Sequence, residues 1–297
     1  MALITARRLP VATYRLQLRK EFPFPAVAAI LPHLQAMGIS DLYCSPILLS
    51  TPGSSHGYDV NDYRRIDPEL GGRAALEQLH AELQRRKMGL LLDFVPNHMG
   101  INGPGLLNAW WRDVLENGEH SAHARFFDID WNARGEPGPN RVLVPVLGDH
   151  YGRVLERGEL GLVYAAGALY VTYGDMRFPV EPQTYARVLQ PIRLRGEPAK
   201  EIDQLAQAFG ALPPPDAQEQ VEVAGRRSAT FDELKRRLEA ALAASPAARQ
   251  ALDARLQVIN GRPGEARSYD ELDSRIERQH YRLANWRAGV HETNYRR

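Results

Sequence analysis

Two short clusters hold the side chains best suited to chemistry. His56-Gly-Tyr-Asp59 lies in a run of turn-forming residues, and Asp93 precedes Asn97-His98 by a few positions. Phenol, imidazole, amide and carboxylate groups together offer donors and acceptors of both kinds. An aromatic face covers the apolar side of a pyranose while such groups take its hydroxyls. The same residues also admit a plainer reading, in which Tyr58 fills core, Asp59 caps a turn and His98 is a satisfied structural histidine. Residue types and spacing leave both readings open.

The elements that must position these groups read as alternating strands and helices. Met88-Gly-Leu-Leu-Leu-Asp-Phe-Val-Pro-Asn-His98 begins as an unbroken apolar run, the pattern of a strand covered on both faces. Asp93 interrupts it, and a carboxylate placed there needs a partner. Pro96 ends the ladder because it has no N–H. Upstream, 11–18 reads as a first strand and 41–46 as a second. Pro25 opens a helix carrying Val27, Ile30, Leu31 and Leu34, with Pro32 inside it, and Ala74–Arg86 forms another with Leu76, Leu79 and Leu83 on one side. Ser50–Val60, between the second strand and the second helix, has no periodicity, and a loop of that length is often functional. Strand, helix, strand, helix, strand predicts a parallel α/β sheet whose C-terminal strand ends carry the site.

After His98 the alternation stops. Arg141–Leu147 and Ala168–Tyr173 are strand-like, Leu212-Pro-Pro-Pro215 reads as a linker or stiff turn, and Ala240–Ala254 as solvated helix. Thr230-Phe-Asp-Glu233 and Ser268-Tyr-Asp-Glu271 match the capping box, so each predicts a helix start, the second helix running on through His280, Tyr281 and Trp286.

Composition excludes several classes. The 297 residues are 44% hydrophobic and 25% charged, as in globular proteins, with a net charge of +1 that provides no field for nucleic acid. No apolar run is long enough for a membrane span, and the N-terminus has no secretory apolar region. One cysteine, Cys44, forms no internal disulfide, which fits a cytoplasmic protein. Phosphate-cradling glycines, zinc-spaced Cys/His clusters and a G-x-S-x-G elbow are all missing, so no cofactor and no metal is expected.

Asp93-Phe-Val-Pro-Asn-His98 resembles the first signature of the α-amylase superfamily. Its flanks narrow the likeness. Thr13-Tyr-Arg-Leu-Gln-Leu18, Pro52-Gly-Ser-Ser-His-Gly-Tyr-Asp-Val60, Trp111-Arg-Asp-Val-Leu-Glu-Asn-Gly118, Ala124-Arg-Phe-Phe-Asp-Ile-Asp-Trp131 and His280-Tyr-Arg-Leu-Ala-Asn-Trp-Arg287 are similar to blocks of the maltooligosyl trehalose synthases within that superfamily. The resemblance implies an α/β fold, the N-terminal part (about three βα units) of a (β/α)8 TIM barrel with a subdomain inserted after strand 3. It implies barrel units over 1–98, inserted subdomain and helical extension over 99–265, and a return helix over 266–297.

The implied substrate is a maltooligosaccharide, and the implied reaction turns its reducing-end α-1,4 linkage into an α,α-1,1 linkage by retaining chemistry. Tyr58 would stack on the sugar, Asp59 and His98 would bind it, and Asp93, Asn97 and His56 would support the site, Asp93 pairing with an arginine of a fourth strand. The family's nucleophilic aspartate, its glutamate and its third aspartate belong to strands beyond the third. No R-x-D pattern in an apolar strand follows residue 99, so no catalytic residue is expected here and the truncated chain is expected to be inactive alone, with a complementing C-terminal chain as a partner. An α-glucan hydrolase and a non-catalytic α-glucan-binding fragment are the alternatives.

Overall fold

A computed structural model describes residues 9–101, 107–133, 137–212, 221–287 and 292–296. The expected linker at Pro213–Pro215 lies outside them. The chain forms two compact units, Met1–Gly103 and Pro104–Arg297.

In the first unit, strands β1 (Thr13–Leu16) and β2 (Asp41–Cys44) are separated by helix α1 (Phe24–Ala36). A hairpin follows, β3 (Leu48–Ser50) and β4 (Val60–Ile66), then helix α2 (Gly72–Arg85) and strand β5 (Gly89–Leu92). The sheet order is β1-β2-β5 and both pairings are parallel, with Thr13 opposite Asp41 and Asp41 opposite Gly89. This is the expected alternation of strands and helices. The antiparallel β3–β4 pair brackets the aperiodic loop and is an addition to it.

The core forms where the helices cover the sheet. Phe24, Val27, Leu31 and Leu34 of α1 recur at helical spacing and are buried against Leu42 and Cys44 of β2 and Leu79 and Leu83 of α2. Pro25 sits in the first turn of α1, where its missing N–H costs nothing, and Pro32 is accommodated within the helix. Burial pushes the Cys44 thiol up to about 11. Asp67 fixes the end of the hairpin: its carboxylate accepts hydrogen bonds from Glu69 N at 2.9 Å and from Ser50 Oγ at 2.7 Å.

The expectation that β5 is covered on both faces is not met. Leu91 is 39% exposed, Leu92 44% and Phe94 61%. Among the described residues β5 pairs only with β2 and is an edge strand, so one flank of the apolar run lies bare.

The second unit begins with helix α3 (Ala109–Asn117), capped by Asn108, whose side chain accepts from Trp110 N and Trp111 N. Next come β6 (Val142–Leu147), α4 (Tyr151–Glu156) and an antiparallel meander of β7 (Leu160–Ala165), β8 (Ala168–Tyr173) and β9 (Met176–Pro179). The turn between β7 and β8 is Ala166-Gly167, both at positive φ, as a two-residue hairpin turn requires. Helices α5 (Pro182–Leu189), α6 (Glu197–Ala211), α7 (Val221–Ala244), α8 (Pro246–Ile259) and α9 (Asp270–Ile276) follow, then strand β10 (Tyr281–Asn285), parallel to β6.

Four helix expectations are corrected. Helix α7 starts at Val221, so Thr230 lies in its interior and its hydroxyl donates to Arg226 O at 2.9 Å instead of capping. Ser268 lies in a 3-10 turn, with its hydroxyl bonded to Arg262 and Glu265. The helix after it ends at Ile276, because Tyr281 and Leu283 alternate into the core as a strand. The alanine-rich tract is broken at Ser245, which caps α8, and Leu242, Ala248 and Leu252 are buried. Asn294 joins three backbone stretches, donating to Asp130 O at 2.9 Å and Arg141 O at 2.8 Å and accepting from Leu143 N at 3.0 Å.

His280 precedes β10 and packs on Gly118, where a Cβ would meet its Nδ1 at 2.8 Å. Desolvation lowers the imidazole from 6.5 to about 4. An unfolded chain takes up a proton near pH 6.5 that the folded one refuses until about pH 4. Stability of the second unit is therefore expected to fall as pH drops through that window, and His280→Gln to flatten the fall. Urea midpoints measured between pH 7 and 4 check this.

Candidate functional site

The first unit brings the two sequence clusters together. Gly57 makes the approach possible: its φ is +74°, and a Cβ there would lie 2.9 Å from Pro46 O. The loop before β4 is then held by its own side chains. Gly57 N donates to Ser54 Oγ at 3.1 Å, and Ser54 Oγ donates to Asp59 Oδ1 at 2.6 Å. Tyr58 N donates to His56 Nδ1 at 3.0 Å, and the two rings stack at 5.9 Å.

Asp93, just past the end of β5, is the acceptor that the loop closes onto. Its Oδ2 receives the Tyr58 hydroxyl at 2.5 Å and the Tyr43 hydroxyl at 3.1 Å. Arg15 of β1 donates to the Tyr58 oxygen at 3.2 Å and lies 5.8 Å from the centre of the Tyr43 ring. Gln17 accepts from Arg15 at 3.1 Å and donates to His56 O at 3.1 Å. The hydrogen bond to Asp93 raises the Tyr43 phenol above its ordinary value, and the bond to Tyr58 raises Arg15.

His98 sits across the same loop. Its Nε2 is 3.1 Å from Tyr58 O, and its own carbonyl accepts the Tyr63 hydroxyl at 2.6 Å. Asn97 occupies the exposed turn with Pro96. A cavity of about 170 Å³ opens beside these groups, with Ile47, Val60, Leu92, Phe94 and Val95 as apolar wall and Tyr58, Tyr63 and Asp93 among its polar lining. Thus Tyr58, Asp59, His56, Asp93 and His98 share one locality, with Asn97 in the turn at its margin. Arg15, Gln17, Tyr43 and Tyr63 join it unforeseen. The alternation Tyr14, Leu16, Leu18 sends Arg15 and Gln17 to the other side of β1, and that was the available signal.

The arrangement presents phenol, imidazole and carboxylate beside an apolar wall, a lining suited to a polar ring with one apolar face. Among the described residues no group of three His, Cys, Asp or Glu side chains could hold a metal ion, and no helix is long and apolar enough to cross a membrane.

Comparison with known proteins gives the class first. Residues 26–149 match the catalytic domain of α-amylase. A putative maltooligosyl trehalose synthase of Mycobacterium tuberculosis is 43% identical over 171 residues, covering 53% of this chain and 22% of the relative. The intracellular maltogenic amylase of Bacillus subtilis is 37% identical over 99 residues, or 33% of this chain and 16% of the relative. The solved maltooligosyltrehalose synthase of Arthrobacter ramosus superposes with a TM-score of 0.59 at 30% identity, covering 97% of this chain and 26% of that one. The chain therefore spans about a quarter of the length of these synthases. The fold is α/β, and the chain is similar to the α-amylase catalytic domain over residues 26–149 and, along nearly all of its length, to part of a maltooligosyltrehalose synthase.

Asp93→Asn leaves the Tyr43 and Tyr58 hydroxyls without their charged acceptor. The Tyr43 phenol is expected to titrate at lower pH in that variant than in the parent chain. A tyrosine-ring carbon NMR titration checks the shift, and an unchanged Tyr43 titration would falsify the hydrogen-bond assignment.

Proposed function

We propose that this chain is the N-terminal, sugar-binding part of a maltooligosyl trehalose synthase-type isomerase acting on α-1,4-glucans in trehalose biosynthesis. The observation that carries the reading is the Tyr58–Asp93 pair with His98 seated against the Tyr58 backbone, in a chain whose likeness to a synthase covers 97% of its length. Asp93 locks the Tyr58 hydroxyl, so that ring is offered as a stacking face with little rotamer entropy left to lose on binding. His98 and Asp59 take sugar hydroxyls, and His56 and Asn97 brace the loop and the strand end.

The reaction proposed for the whole enzyme is an intramolecular transfer. A carboxylate displaces the reducing-end glucose from C1 of its neighbour while a second carboxyl protonates the leaving oxygen. The freed glucose then attacks C1 through its anomeric hydroxyl in place of water. Atoms are conserved, one glycosidic bond replacing another, and the site must exclude solvent. Within these 297 residues Asp93 is engaged by two phenols and Asp59 by Ser54, which suits recognition rather than displacement. Further chain, continuous or separate, supplies the reacting carboxylates, and the 297 residues alone bind glucan without rearranging it. A cytoplasmic location accords with the single buried Cys44.

An α-glucan hydrolase is the second reading, favoured by the identity to the maltogenic amylase. A longer chain containing these residues separates the two: loss of reducing ends without glucose release marks the synthase, gain of reducing ends the hydrolase. For the present chain, calorimetry with maltopentaose is expected to detect binding that Tyr58→Ala and His98→Ala each weaken about tenfold, equivalent to about 1.4 kcal/mol. Its reducing ends are expected to stay constant. A non-reducing product formed by this chain alone would overturn the division of labour, and absence of binding at millimolar ligand would overturn the sugar site.

A further inference from the structure

The second unit carries a ring cluster that the site above does not use. Trp110 of α3 stacks on Phe126 with ring centres 4.7 Å apart at 22°, and on His123 at 5.7 Å and 12°. His123 and Phe126 are 5.9 Å apart, so they lie side by side on one face of the indole. Phe126 is 62% exposed. Its sequence neighbour Phe127 instead packs edge-on against Trp111, which is buried and also meets Tyr295. Each adjacent pair, Trp110-Trp111 and Phe126-Phe127, therefore sends one ring inward to the core and one into a layer that stays open. Core formation accounts for the inner rings only.

Beneath the open layer lies a carboxylate with an unusual number of donors. Asp113 receives Ser121 Oγ and His123 Nδ1 on Oδ2, the latter at 2.9 Å, and Ser228 Oγ at 3.1 Å and Asn117 Nδ2 at 2.9 Å on Oδ1. Burial works to raise this carboxyl, but the bonds from His123, Ser121 and Ser228 outweigh it and hold Asp113 below its ordinary range. An ionised carboxylate only accepts, so the proton of His123 is on Nδ1. Nε2 is then the ring atom left for a ligand, an acceptor when the ring is neutral and a donor when it is charged. Both hydroxyls are spent on Asp113 rather than on the imidazole, so the group is not a nucleophile–base pair.

We propose that Trp110, His123 and Phe126 form a second α-glucan contact, with a glucose ring lying on Phe126 and one of its hydroxyls bonded to His123 Nε2. The proposal rests on the α-glucan reading given above. An exposed aromatic face suits the apolar side of a pyranose, and a fixed imidazole beside it supplies the polar contact that an apolar peptide or lipid surface leaves unmet. Asp113 is a positioning residue here, since it acts through His123.

The test uses the 297-residue chain with maltopentaose, by calorimetry and by retardation in gels containing soluble starch. In a Tyr58→Ala/His98→Ala background, binding is expected to persist. Adding Phe126→Ala is expected to weaken it about fivefold, within the range of an aromatic contact, and Phe126→Trp to restore it. His123→Gln provides a second probe that leaves the exposed ring in place, and is expected to weaken binding as well. If the Tyr58/His98 variant loses all binding and Phe126→Ala on the intact chain changes nothing, the platform is wrong and the first site stands. If the parent chain binds no maltopentaose, both readings fall together.

Discussion

A carboxylate at the end of a strand needs donors, and the geometry of the first unit follows from how Asp93 finds them. Leu90, Leu91 and Leu92 carry it out of an apolar run, where an unpaired charge is costly. Two phenols answer from different parts of the chain, Tyr43 from the neighbouring strand and Tyr58 from the loop before β4. Tyr58 reaches Asp93 only because the loop bends at Gly57, where a side chain would collide with Pro46 O. The loop is thus tied at its base by the hairpin and Asp67 and further along by Asp93. Arg15 and Gln17 then fill in behind Tyr58, which links β1 to the same network. Removing the charge loosens a strand end, a loop and a ring position together.

Much of this was legible in the sequence. Periodicity located α1, α2 and the parallel strands, and side-chain type located Tyr58, Asp59 and His98. The partners of Asp93 were not legible, because hydrogen bonding depends on three-dimensional register: Tyr43 meets it only through the parallel pairing of Cys44 with Leu92. The solvent exposure of β5 was misread for a related reason. An apolar run reports what a strand can pack against, not what is present beside it. The capping box at Ser268 failed because its hydroxyl bonds back to Arg262 and Glu265, and the one at Thr230 because four residues describe a cap only if the preceding chain leaves the helix. Before Thr230 it does not, so the hydroxyl turns back to Arg226 O. At Tyr281 and Leu283 a two-residue period competed with a helical one over too few residues to decide.

The two units solve a similar problem with similar parts. In each, a carboxylate gathers several donors and so fixes an aromatic or imidazole ring that faces outward: Asp93 holds Tyr58, and Asp113 holds His123 beside Trp110 and Phe126. A ring held this way loses little freedom when a ligand arrives, which favours weak, polar, ring-shaped ligands whose binding leaves little surplus free energy. The difference lies in burial. Asp113 is enclosed by α3, the turn at Ser121 and Ser228 of α7, whereas Asp93 stands at the margin of an edge strand.

That margin reconciles the arginine partner suggested by resemblance with the phenols found here. Both phenols use Oδ2 of Asp93, while a carboxylate has acceptor positions for about four partners. A strand added beside β5 covers Leu91 and Leu92 and satisfies the bare edge. Such a strand can bring a cation to Asp93 without displacing Tyr43 or Tyr58. The phenols then fix the Tyr58 ring, and the added cation reinforces the charge balance to which Arg15 already contributes. On this view Asp93 is a junction between the Tyr58 loop and the open edge of β5, and the orientation of Tyr58 is set by bonds within the first unit.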